Sequence, residues 1–377
     1  MAEGHIGSVL GTLVCNATLS EFPSVAHVYG DIYAICWDEG GTECYICTVN
    51  IPSTGLNPTL IDGPFKGEST VCHRPRIIKV ATSVYAYVYK YNLDHGLIRT
   101  ITITNGGNII ANIDSFDFEG VNCGEPEICE VAPNVFVVVY VNTNSDGKIV
   151  TIGIDDQGQI AEPLLDSWVF DAGYIRNPDV LKIASNIFAF FYGDFVWDGW
   201  VKTIGISDLG SITESIIDFL NFETSTAYYI NAAHFTGNIY AAAYHDGDND
   251  GWVTTIEILP NGQIAASYAD RLEFSPGYGM NPSIIGVTSN VMAIAYEESA
   301  SDGEIYTFLC LSDGDITTAP RDTQNFDSTA AAYPYIFHVT AGIYAVAYLG
   351  ENDYITLKTF DIARAGFPKH LPFMGMG

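Results

Sequence analysis

Basic residues are scarce in this sequence: 15 lysines and arginines stand against 45 aspartates and glutamates, a formal charge of −30. Such a field repels phosphate backbones, which excludes nucleic acid as a partner, and it attracts cations and basic partners. No apolar run reaches the ~18–20 residues that a membrane-spanning helix needs. The opening MAEGHIGSVLGTLVC has no basic segment ahead of its apolar stretch, so no cleaved signal peptide is read there. Short catalytic signatures are missing as well: there is no HExxH, G-x-S-x-G, phosphate-binding loop or dinucleotide fingerprint. That excludes reactions built on such motifs. It does not reach a carboxylate pair assembled from distant parts of the chain. Charge of either sign makes up only 16% of residues against 48% hydrophobic, which argues for a large core and against disorder.

What the chain has in quantity is glycine (36), tyrosine (23) and phenylalanine (20), a mix suited to strands and tight turns. These residues recur with a period of about 52. A proline anchors the copies at Pro23, Pro75, Pro126, Pro178, Pro282 and Pro334, with Ile230 in the remaining place. Fourteen residues on comes an aromatic: Trp37, Tyr89, Tyr140, Tyr192, Tyr244, Tyr296 and Tyr348. A threonine series follows without a gap, Thr48, Thr100, Thr151, Thr203, Thr255, Thr307 and Thr359. Seven residues later stands glycine, from Gly55 to Gly366, and then an aspartate, from Asp62 to Asp322. Each copy reads as four short strands, A to D, with strand A following the proline and Asp-Gly dipeptides often closing the B–C hairpin. Strands B and C are apolar on both faces, as a sheet sandwiched between two neighbours requires. Four antiparallel strands per copy and seven copies predict an all-β, seven-bladed β-propeller over residues 1–366. The seventh copy has only three strands before Gly366. The segment near 4–14 resembles a strand D and is expected to close the last blade, removing a free edge. Residues 367–377 form an apolar tail outside the blades.

Residues that break the repeat are the candidates for function, because the repeat itself is packing. The D–A and B–C loops of a propeller share one face. On that face, Asp246, Asp248 and Asp250 form an alternating acidic hairpin able to converge on a hard cation such as Ca2+; the other reading is a solvated turn and no cofactor. Phe195, Trp197, Trp200 and Trp252 gather aromatic faces in and beside the loops of blades 4 and 5, suited to stacking on sugars or to a protein contact. On strand A, four residues after the anchor, His27, Lys79, Glu130, Lys182, His234 and His338 are polar amid apolar neighbours and are expected to line the axial channel. So are the residues one after the anchor, among them Ser24, Arg76, Glu127, Asp179, Asn231, Ser283 and Tyr335. Cys36 and Cys47, on neighbouring strands, are placed for a possible cross-link, while most of the eight cysteines read as buried thiols.

The repeats resemble the loosely related tandem propeller repeats of microbial and phage surface proteins. The resemblance covers residues 4–366 and transfers no functional residue. With the missing motifs and the apolar tail, it implies a non-enzymatic structural or interaction protein in a virion, fibre or surface assembly. The tail 367–377 would then be its docking segment toward protein partners. The alternatives are a carbohydrate-binding propeller and a glycan-active hydrolase or lyase.

Overall fold

The computed structural model describes residues 2–364 apart from 69, 92, 93, 300, 301 and 341. Gly366 and the tail 367–377 lie outside the described residues. Strands dominate, arranged as seven blades about an axis, and each blade runs A-B-C-D from the inside out. Blade 1, for example, is Glu21–Tyr29, Ile32–Asp38, Cys44–Asn50 and Thr59–Glu68. Blades 3 and 4 share one long strand, Asp166–Ala184, which is the outer strand of one and the inner strand of the other. Among the described residues no helix is long and apolar enough to cross a membrane.

The N-terminal segment closes the ring as expected. Gly11–Val14 pairs antiparallel with Ile355–Asp361 as the fourth strand of blade 7. The core lies between blades. One cluster joins Ala86 and Val88 of blade 2 to Phe136 and Val138 of blade 3, and the cluster at the seam joins Ile35 and Trp37 to Ala345 and Ala347. Strand B must be apolar on both faces because each face meets a different neighbour.

The threonine and glycine series are the two halves of one cross-link. Thr48, Thr100, Thr151, Thr203 and Thr255 each donate to the carbonyl of the glycine in the next blade, at 2.5–2.6 Å. Thr359 donates to Gly55 across the seam. Thr307 reaches Gly4, which takes the seat expected of Gly366. The aspartates tie the same seams: Asp62, Asp114, Asp166, Asp218 and Asp270 accept the N–H of an isoleucine one blade on, and Asp322 accepts that of Ile6. Buried backbone donors are thereby satisfied by side chains, which keeps them from costing desolvation energy.

A third seam device escaped the sequence reading. The hydroxyls of Tyr89, Tyr140, Tyr192, Tyr244 and Tyr348 donate to Glu68, Glu119, Asp171, Glu223 and Asp327 of the preceding blade. Each carboxylate also holds a cation: Arg99, Lys148, Lys202, Arg271 or Lys358. One third of the scarce basic residues is therefore committed to blade packing.

Blade 1 departs from blades 2 to 6. In those five a glycine (Gly96, Gly147, Gly199, Gly251, Gly303) accommodates a strand D phenylalanine whose ring a Cβ would meet at 2.3–2.7 Å. Blade 1 has Cys44 in the glycine position, and Gly67 in place of the ring. Cys44 is bonded to Cys72 of blade 2, Cα to Cα 5.6 Å. Cys36 and Cys47 are free thiols; Ile35, not Cys36, faces Cys47 in the ladder, so the cross-link considered for that pair does not form.

Candidate functional site

Strand A does not begin after the anchor proline. It starts two or three residues earlier, and the proline lies in a β-bulge that interrupts every strand A ladder at the same place, such as between Glu21 and Ser24 or His73 and Arg76. A bulge tolerates proline because no ladder donor is needed there, and it re-aims the side chains beside it. Ile230 occupies the same bulge without the ring, so the irregular backbone does not depend on proline.

The residue before the anchor is left-handed in all seven blades: Phe22, Arg74, Glu125, Asn177, Tyr229, Asn281 and Tyr333 have φ between 44° and 52°. For a residue with a Cβ this conformation costs roughly 1 kcal/mol or more, and glycine would avoid the cost. None of the seven is glycine. The backbone is constant and strained while the side chains differ, and all seven line one cavity of about 460 Å3 at the axis.

Inside that mouth lies the ring formed by the residues after the anchor, most of which tie neighbouring blades together. Ser24 accepts the N–H of Ile77, Asp179 that of Ala232, Asn231 that of Ile284 and Ser283 that of Ile336. Arg76 Nε donates to Glu127 Oε2 at 2.7 Å, and Asn231 Nδ2 to Asp179 Oδ2 at 3.1 Å. Blades 2, 3 and 4 thus place an arginine, a glutamate and an aspartate side by side. Burial, followed by the neighbouring Glu127 charge, pushes the Asp179 carboxyl up to about 7, against the pull of the Ala232 and Val180 N–H groups and Arg76. A carboxyl titrating near neutrality beside an arginine-paired carboxylate is an arrangement that can hold or release a proton at physiological pH.

At the mouth, Arg74 is paired with Glu125 at 2.8 Å and lies over the rings of Phe22 and Tyr229, 4.6 and 5.2 Å from their centres. Phe22 meets Tyr333 at 4.1 Å. The backbone N–H of Arg74 binds the buried carboxylate of Asp38, whose titration burial raises to about 7 despite the Arg74 and Gly41 N–H groups.

Of the residues expected to line the channel, His27 and His338 do line this cavity. Lys79, Glu130, Lys182 and His234 are not among its lining residues. Lys79 Nζ binds the carbonyl of Val28, Lys182 Nζ that of Val131, and His234 faces the carbonyl of Gly237 in its own A–B turn. Position +4 falls near the A–B turn of strand A, and among the described residues its side chain lines the cavity in blades 1 and 7. Among the described residues no group of three or more His, Cys, Asp or Glu is arranged to hold a metal ion. In the acidic hairpin, Asp246 Oδ1 accepts the N–H groups of Asp248 and Asp250, and Oδ2 accepts Trp252 Nε1. Asp250 accepts the N–H of Gly277. These bonds give Asp246 and Asp250 a turn-capping role.

The four aromatic candidates divide in two. Trp200 and Trp252 each donate to the first aspartate of their own hairpin, Asp194 and Asp246. Phe195 and Trp197 belong to a separate cluster with Tyr174, Arg176 and Tyr228. The mouth ring itself was missed by sequence reasoning. Its signal was present: one variable column directly ahead of the anchor proline.

No protein-family model matches the sequence, nor does any curated protein. Solved structures do match. A putative 6-phosphogluconolactonase from Bacteroides fragilis is 12% identical over 81% of this chain and 84% of its own, with a TM-score of 0.60. A lectin from Burkholderia pseudomallei is 9% identical over 93% and 97%, at 0.64. Sqt1 of Saccharomyces cerevisiae is 12% identical over 97% and 100%, at 0.56. The expectation of a non-enzymatic protein is corrected by the first of these: the same architecture serves a protein described as a putative lactonase. In a propeller the site is assembled from separate blades, so a missing short motif is no argument against catalysis. The likeness at this identity is one of fold, and what it shows is that this chain is β-propeller-like.

Proposed function

We propose that the chain is a carbohydrate-binding propeller whose axial cavity takes a single sugar unit. The observation that carries this reading is the mouth ring, where seven blades hold one strained backbone and present seven polar or aromatic side chains to a space of about 460 Å3. That volume lies within the range of ordinary small-molecule sites. Asn177 and the tyrosine hydroxyls offer donors and acceptors to a polyol, and the Arg74–Glu125 pair adds charged groups at the rim. The lectin of the same fold supports the reading as an example, not as a template. A glycan array followed by calorimetry tests it: binding of at least one sugar class is expected, and an array without hits overturns it.

A second reading, hydrolysis of a sugar derivative, is favoured by Asp179. Its raised carboxyl, beside the Arg76–Glu127 pair, is suited to move a proton. Turnover of a panel of sugar lactones and aryl glycosides is expected to fall roughly 100-fold in Asp179→Asn. A panel with no turnover sinks this reading and leaves the binding one intact.

The surface or virion setting that the repeats suggest is compatible with glycan binding. Antibody labelling of intact particles or cells checks it, and an absence of surface label removes it.

A further inference from the structure

A row of rings leads away from the mouth of the axial cavity. Tyr229, a mouth residue, lies parallel to the His245 ring at 5.8 Å, and His245 in turn meets Tyr228 at 5.1 Å. Tyr228 meets Trp197 at 4.1 Å. Beyond it, Arg176 lies flat between Trp197 and Tyr174, 4.1 and 4.3 Å from their ring centres, and Phe195 closes the row against Tyr174. The row therefore runs outward from the axis over blades 5 and 4. It lies on the face where connectors rest on hairpins, as where Ala227 N–H donates to the Trp197 carbonyl.

Two features of this row are not explained by packing. Trp197 is left-handed, φ 72°, at the hairpin position where other blades place Asp94, Ser145 or Asn249. A bulky residue there is an outlier, since the smaller ones serve the same carbonyl acceptor with less strain. Arg176 pairs with no carboxylate among the described residues, in a protein of charge −30, and its buried Nε has no acceptor. Arg74, Arg76, Arg99 and Arg271, by contrast, each hold an acid. Phe195 ends the row 69% exposed.

We infer that this row is an outer subsite for the following residues of a sugar chain whose end occupies the axial cavity, so that the ligand is an oligosaccharide and not a free monosaccharide. Ring faces stack on the C–H faces of successive sugars, and the clamped guanidinium directs its free N–H edge to their hydroxyl or carboxyl oxygens. The inference rests on the carbohydrate reading of the cavity. Its test is a mono- to tetrasaccharide series in neutral, amino and uronic sugar classes, measured by calorimetry on the full chain and on Trp197→Asn. Asparagine is the residue of the equivalent hairpin in blade 5 and suits the left-handed backbone, so this variant is expected to melt no lower than the parent. Affinity should rise tenfold or more with chain length in the parent. Trp197→Asn should lose that gain and keep monosaccharide affinity. Length-independent binding in the parent, or a gain retained in Trp197→Asn, overturns the outer subsite alone. No binding by any sugar overturns the cavity reading and the subsite together.

Discussion

The blade seams and the mouth ring are both seven-fold, yet they repeat different things. At the seams the residue repeats: threonine to glycine in every blade, aspartate to the next isoleucine in six. At the mouth only the backbone repeats throughout: Phe22, Arg74, Glu125, Asn177, Tyr229, Asn281 and Tyr333 share a left-handed φ and comprise five residue types. A seam needs the same bond at each step, so its chemistry is uniform. A ligand site built by seven near-identical blades gains specificity only where they differ.

The contrast is broken most severely at the seam between blades 7 and 1. Deleting residues 2–14 removes the fourth strand of blade 7 and the Thr307–Gly4 and Asp322–Ile6 bonds. Loss of cooperative melting and growth of aggregates in light scattering are expected, because the ring then exposes an unpaired edge. A monomeric, cooperatively melting deletion variant would show that the closure is dispensable. Next comes Glu223→Ala, which leaves the Tyr244 hydroxyl and Arg271 without their buried acceptor. A loss of about 3 kcal/mol in denaturant unfolding is expected, and a loss near zero would mean that water replaces the carboxylate.

A smaller effect is expected from Asp179→Asn on the pH dependence of stability. Asp38 and Asp179 both titrate near 7 in the fold, above the ordinary aspartate value. A raised carboxyl favours the native state while it is protonated, and this advantage is lost as pH rises from about 4 through 7. Wild-type stability should decline over that window, and Asp179→Asn should make the decline shallower. Parallel curves for the two proteins would refute the assignment. The smallest change is expected at the mouth. Tyr229→Gly relieves the left-handed backbone while giving up ring contacts, so unfolding should shift by less than about 1 kcal/mol. Glycan affinity should fall tenfold or more. A large stability loss with unchanged affinity would reverse the roles assigned to ring and seam.

Much of the fold was legible. The 52-residue period, the both-face apolar strands and the orphan segment near 4–14 each follow from burial and edge protection, which act on local patterns. Strand A was read as starting after the proline, because a proline inside a strand is allowed only at a bulge, and a bulge leaves no mark in hydrophobic periodicity. The acidic column from Glu68 to Asp327 could have been found by its spacing; its tyrosine and cation partners sit one blade away. The channel series divides by blade as well as by position: Arg76, Glu127, Asp179, Asn231, Ser283 and Tyr335 line the cavity at position +1, and His27 and His338 at position +4. The four aromatics were read as one group because three are close in sequence and Trp252 holds the place of Trp200 one blade on. Indole N–H groups that cap Asp194 and Asp246 draw Trp200 and Trp252 away from the row containing Phe195 and Trp197.

By itself the sequence determined the architecture, the blade count and the closure, since these depend on repeated apolar spacing and on turn residues within each copy. Which side chains meet was decided only by the tertiary structure. Blades bring residues about 52 apart into contact around an axis, and no local pattern records that Arg76 is bonded to Glu127 beside Asp179, or that Trp197 stands in a row with Tyr229.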